Sequence, residues 1–140
     1  MVDDTIQRVS VNGITLHVQL AGWEQSGPVV LLVHGFPDDH SVWRHQVPAL
    51  VQAGYRVMVP DMRGCGESDI PQGKRAYHRD ALAADLLALL DHYGIDKVRL
   101  VGHDWGPTLT QARADDYGPQ KRGRSTCGKS SVTWCDVPRK

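Results

Sequence analysis

Residues 29–33 read Val-Val-Leu-Leu-Val and stop at His34-Gly35. Five consecutive apolar side chains are too few for a buried helix, and they do not alternate as a half-exposed strand would. The run predicts a strand covered on both faces, which is the situation of an interior strand in a parallel sheet. A strand of that kind requires helices above and below it, so the chain is constrained to a layered α/β arrangement.

The neighbouring segments agree. "IQRVSVNGITLHVQL", residues 6–20, alternates on both sides of Asn12-Gly13, the dipeptide that accepts the positive φ angles of a type I′ hairpin turn. Trp43, Val47, Leu50 and Val51 fall at helical spacing, Ser41 is placed to cap the entry, and Gly54 closes the end. Pro48 confines the regular part of that helix to the residues from Pro48 onward. "YRVMVPD" predicts a second short strand and "DMRGCGESD" a glycine-rich loop, in which Arg63 and Ser68 are placed to hold the loop by hydrogen bonds. In "RDALAADLLALLDHYG" Leu82, Leu86, Leu89 and Tyr93 form one stripe, with Asp80 early and Gly94 at the end, which predicts a helix. "VRLV", residues 98–101, supplies one more strand. The order is a hairpin followed by strand-helix-strand-helix-strand.

Residues 117–140 break this logic. They hold six Lys and Arg against one Asp, whereas residues 1–116 hold ten against fifteen Asp and Glu, so a net charge of zero conceals halves of −5 and +5. The tail has neither helical nor strand periodicity and predicts disorder. "GRSTCGKS", 123–130, satisfies the phosphate-loop spacing, but no buried strand precedes it and no helix is predicted after it, so nucleotide binding is not expected. The basic tail lacks a folded stripe or aromatic platform for nucleic acid. No run of eighteen apolar residues and no basic-then-apolar leader occurs in the 140 residues, which predicts a cytoplasmic protein without a membrane partner. The spacing of Cys65, Cys127 and Cys135 predicts free thiols and no metal site.

The chemistry concentrates in "VGHDWG", residues 101–106. A strand running into Gly-x-Asp-x-Gly predicts a sharp strand-turn-helix that stands the middle side chain, Asp104, clear of the sheet at the positive end of a helix. Such a site favours an ionised carboxylate, and a carboxylate suits attack on an electrophilic sp³ carbon. The competing reading of Asp104 is a helix cap, and that of Trp105 is core packing. His103 adjoins Asp104, but successive residues of a strand face opposite sides, which predicts a packing role for it. His40, His45, His78 and His92 are predicted to be solvated surface.

"HGFP" at 34–37, "PDMRGCGESD" at 60–69 and "VGHDWG" at 101–106, in this order and each after a predicted strand, resemble the N-terminal signatures of the α/β-hydrolases of the epoxide hydrolase and haloalkane dehalogenase branch. The resemblance covers roughly residues 6–109. It implies Asp104 as nucleophile, the backbone N–H groups of Phe36 and Trp105 as an oxyanion hole, and His34 as a shaper of the pocket. It implies a small-molecule substrate, an epoxide or alkyl halide, and no cofactor. Haloalkane dehalogenases commonly carry Asn where this chain has Phe36, which favours the epoxide hydrolase side. The family's base histidine, its acidic partner and the cap tyrosines come after the nucleophile, and this sequence has no histidine after His103. The expectation is therefore the N-terminal half of an α/β-hydrolase fold over 1–116, inactive as a turnover catalyst. "VRLV" is expected to be an open, aggregation-prone sheet edge, and 117–140 a disordered tail produced by truncation or a shifted reading frame. A non-catalytic binding module that uses the basic tail to hold an acidic partner is the alternative.

Overall fold

A computed structural model describes residues 4–103 in full and the backbone of 122–127 and 130–138. Strands β1 (Asp4–Val11) and β2 (Ile14–Ala21) form the expected hairpin, with Val11 opposite Ile14 and positive φ angles of 51° at Asn12 and 77° at Gly13. Left-handed backbone at both central positions is what a type I′ turn demands. β3 (Val29–Val33), β4 (Arg56–Pro60) and β5 (Lys97–His103) follow, with β4 and β5 parallel to β3 on either side and β2 antiparallel to β4.

The apolar run of β3 divides between two cores. Val29, Leu31 and Val33 face one side, where they pack with Leu16, Met58 and Leu100 beneath helix α2 (Arg79–His92). Val30 and Leu32 face the other, with Val57, Val59, Trp43 and Val47 of the region around helix α1 (Gln46–Gln52). Alternation of side chains along a strand, combined with a helix on each face, explains why no polar residue interrupts the run. β5 is covered less evenly: Val98 and Leu100 are buried, whereas Lys97 and Arg99 are exposed.

Both helices depart slightly from the sequence reading. Asp39, not Ser41, caps the turn of 3-10 helix at His40–Trp43, its carboxylate accepting the Ser41 N–H at 2.8 Å. Helix α1 begins at Gln46, two residues ahead of Pro48, which therefore lies in the first turn where its missing N–H breaks no bond. Helix α2 buries Leu82, Leu86 and Leu89 as the stripe predicts, and with them Asp85, which is fully buried.

Two further strands are described beyond β5. Strands β6 (Arg122–Cys127) and β7 (Ser130–Pro138) pair with each other, and β7 runs antiparallel along the whole of β5. The sheet order is β1-β2-β4-β3-β5-β7-β6. The "VRLV" edge expected to be open is thus covered by a backbone pairing that uses the N–H and C=O groups of β5, an attraction that needs no side-chain pattern. The phosphate-loop spacing at 123–130 falls on these two strands, with Cys127 opposite Ser130 and a strand rather than a helix after it. Among the described residues no helix is long and apolar enough to cross a membrane.

Asp85 is balanced by Arg63. The guanidinium donates from Nε to Oδ2 and from Nη2 to Oδ1, both at 2.6 Å, and from Nη1 to the Ala76 carbonyl at 2.7 Å. Asn12 donates to the same carboxylate at 2.8 Å, so the hairpin turn, the loop after β4 and helix α2 share one buried ion pair. A fork-to-carboxylate pair of this kind is geometrically specific, and removing one partner strands a charge in the core. Arg63→Ala is expected to cost about 3–5 kcal/mol, measured by urea unfolding; a loss below about 1 kcal/mol would show that the pair is not buried in solution.

Candidate functional site

β3 and β4 are parallel, so the loops that follow them, 34–39 and 61–69, leave the sheet at the same edge. β5 is parallel to β3, with Val33 opposite Gly102, so it reaches that edge one residue later, at His103. The carboxyl ends of parallel strands are where α/β sheets place their ligand crevices.

His34 is buried and its ring orders the first loop. Nε2 accepts the Met62 N–H at 2.9 Å, so this nitrogen carries no proton, and Nδ1 donates to the Gly35 carbonyl at 2.7 Å. The Asp38 N–H donates to the same carbonyl at 3.0 Å. With the Gly35 carbonyl held from two sides, peptide planarity turns the Phe36 N–H the opposite way. The Phe36–Pro37 bond is cis, and the Phe36 side chain is 69% exposed. His34, Gly35 and Phe36 line a pocket of about 70 Å³ together with Met62, Arg63, Cys65, Tyr77 and Leu82. Complete ligand pockets run to several hundred Å³, so this pocket is much smaller than one.

The second loop is held by Asp61, which is fully buried. Its Oδ1 accepts the His40 N–H at 2.7 Å and lies 2.8 Å from His40 Nδ1. Oδ2 accepts the Glu67 N–H at 3.0 Å and lies 3.0 Å from His17 Nδ1. Gly66 is required here: its φ is +51°, and a Cβ would meet Asp61 Oδ2 at 2.2 Å. Ser68 donates to the Asp61 carbonyl at 2.6 Å and its Oγ accepts the His17 N–H at 2.8 Å, so Ser68 holds its loop as expected.

Of the residues singled out in the sequence, His34 and Phe36 stand together at the pocket, whereas Asp104 and Trp105 lie outside the described residues. His45, His78 and His92 are exposed as expected. His40 is not solvated surface; it is half-buried against Asp61 because the 3-10 turn folds its ring inward. Sequence reasoning also missed Asp61 as a fixed point and Tyr77 as a pocket wall. The signal available for Asp61 was the glycine spacing that follows it, since glycine admits a buried carboxylate against the backbone.

Cys65 is the free thiol among the described residues. Burial pushes its pKa up, and the carboxylates of Asp61, Asp39 and Asp38 push it further. A raised pKa leaves less thiolate, the form that reacts. Iodoacetamide at pH 8 is expected to alkylate Cys65 several-fold more slowly than a cysteine in a short peptide, read by peptide mapping, with the gap closing as pH rises. Equal rates at pH 8 would contradict this environment.

A family model described as alpha/beta hydrolase fold matches residues 28–124. Epoxide hydrolase A of Mycobacterium tuberculosis is 50% identical over 105 residues, covering 75% of this chain and 32% of that protein. Epoxide hydrolase 2 of Siraitia grosvenorii is 49% identical over 101 residues, covering 72% and 31% respectively. Among solved structures, epoxide hydrolase A from Mycobacterium thermoresistibile superimposes with a TM-score of 0.76 at 46% identity, covering 80% of this chain and 35% of that one. The chain thus spans about a third of the length of the relatives it matches. The "HGFP" loop, the mixed sheet and the family match lead to one conclusion: this chain belongs to the alpha/beta hydrolase fold family, and the relatives it resembles there are epoxide hydrolases.

Proposed function

We propose that this chain is the nucleophile-bearing part of an epoxide-opening hydrolase in which Asp104 is the attacking group. The observation that carries the reading is the Gly35 carbonyl clamped by His34 and Asp38, which turns the Phe36 N–H away from it at the edge where β5 ends, one residue before Asp104. The names of its relatives support an epoxide as substrate class.

In this chemistry an Asp104 carboxylate oxygen attacks a ring carbon, the ring C–O bond breaks, and the released alkoxide takes a proton from an acid or from water. The product is a hydroxyalkyl ester of Asp104. Hydrolysis then requires water to add to the ester carbonyl, developing negative charge on its oxygen. N–H donors from Phe36 and Trp105 would hold that charge, each worth about 3 kcal/mol in comparable sites. His34 acts as a positioning residue, because its two bonds aim the Gly35–Phe36 peptide. Water addition also requires a general base, and the sequence has no histidine after His103. The chain by itself therefore stops at the ester. The opposite charge of 1–116 and 117–140 supports treating the first segment as the hydrolase portion and the second as a unit of different origin.

Incubation of the chain with a reactive terminal epoxide is expected to add the mass of one epoxide to the peptide containing Asp104, and Asp104→Asn to remove that adduct. An adduct that persists in Asp104→Asn, or steady diol release by the wild-type chain, would contradict the reading.

A further inference from the structure

A second constellation is formed by residues that do not line the Phe36 pocket. His17 on β2, His40 in the turn after β3 and Asp61 after β4 come from three separate parts of the chain, and their donor atoms lie within 4.8 Å of one another. We infer that His17 Nδ1, His40 Nδ1 and the Asp61 carboxylate form a binding site for a divalent transition-metal ion of the zinc type.

Four features carry the assignment. Both imidazoles turn the same nitrogen, Nδ1, toward one carboxylate, His17 at 3.0 Å from Oδ2 and His40 at 2.8 Å from Oδ1. His17 Nδ1 is buried and, despite its distance, is not aligned for a hydrogen bond to Asp61. A proton shared between two atoms must sit close to the line joining them, whereas a metal ion about 2.0–2.2 Å from each donor sits beside that line. The carboxylate is also oriented in advance by the backbone N–H groups of His40 and Glu67, the outer-shell support that metal ligands commonly have. Finally, the imidazole rings keep contact with solvent, with side-chain exposures of 12% for His17 and 26% for His40.

Two imidazole nitrogens and one carboxylate oxygen suit zinc, nickel and copper, and do not suit calcium or magnesium, which prefer oxygen donors throughout. Binding replaces hydrogen-bonded contacts with metal–ligand bonds and requires no redox step. Each neutral imidazole can carry its proton on Nε2 while Nδ1 ligates. The bound ion would tie β2, the 34–40 segment and the 61–69 loop into one unit. The site stands independently of the Asp104 chemistry.

The test is Zn²⁺ titration of the full chain in competition with a chromophoric chelator, alongside thermal melts and the visible spectrum of the Co²⁺ form. One equivalent is expected, with a rise in Tm, and with affinity falling at least about tenfold in His40→Gln and in His17→Gln. His78→Gln and the double substitution Cys127→Ser/Cys135→Ser should bind as the wild type does, which separates this site from surface histidine and from the tail thiols. Absence of stoichiometric binding by the wild-type chain would overturn the assignment without reference to any variant. So would an affinity unchanged in both His40→Gln and His17→Gln.

Discussion

The loop edge of this fold is organised around one buried carboxylate. Asp61 sits at the end of β4 without solvent access and receives the backbone N–H groups of His40 and Glu67. A buried carboxylate left unpaired would cost several kcal/mol, so the loops that satisfy it cannot drift apart without exposing that cost. The conformation of 61–69 follows from this requirement, including the left-handed Gly66 that lets the backbone pass within contact of Oδ2. The Met62 N–H, next in sequence, then fixes the tautomer of His34, and His34 in turn fixes the carbonyl of Gly35. A short chain of hydrogen bonds thus connects a structural anion to the peptide whose N–H faces the other way.

Arg63 extends the same loop toward helix α2. Its fork onto Asp85 is joined by Asn12 of the β1–β2 turn, so the hairpin turn, the loop after β4 and the middle of α2 meet at a single pair of charges. The two carboxylates divide the work by environment: Asp61 gathers backbone donors and imidazoles, and Asp85 neutralises one guanidinium. Both carboxylates are therefore committed to holding the loops. The pKa of Cys65, in the same loop, is raised by burial and further by the anions around it.

The elements were legible where side-chain pattern alone decides structure. The apolar run of β3 announced a strand covered twice, and Asn12-Gly13 announced its turn, because both features depend on local geometry. Asp85 was less visible: it falls within the leucine stripe of α2, and a carboxylate there implies a buried cation that sequence order does not identify. His40 read as surface because its neighbours are polar, whereas its burial arises from a turn that closes on Asp61, 21 residues away. β7 is positioned by backbone pairing to β5, and β6 by pairing to β7, which local sequence periodicity does not announce. The family resemblance rested on three loops, and two of them, 34–37 and 60–69, prove to be the pair that Asp61 and His34 lock together.

Amide hydrogen exchange at single-residue resolution tests this locked frame most directly. If the loops form one unit, the N–H groups of His40, Met62 and Glu67 should exchange as slowly as the interior amides of β3, opening only when the whole domain unfolds. If those three amides exchange on the timescale of an exposed turn while β3 remains protected, the buried carboxylate does not hold the edge, and the account of how the Phe36 peptide is aimed is wrong.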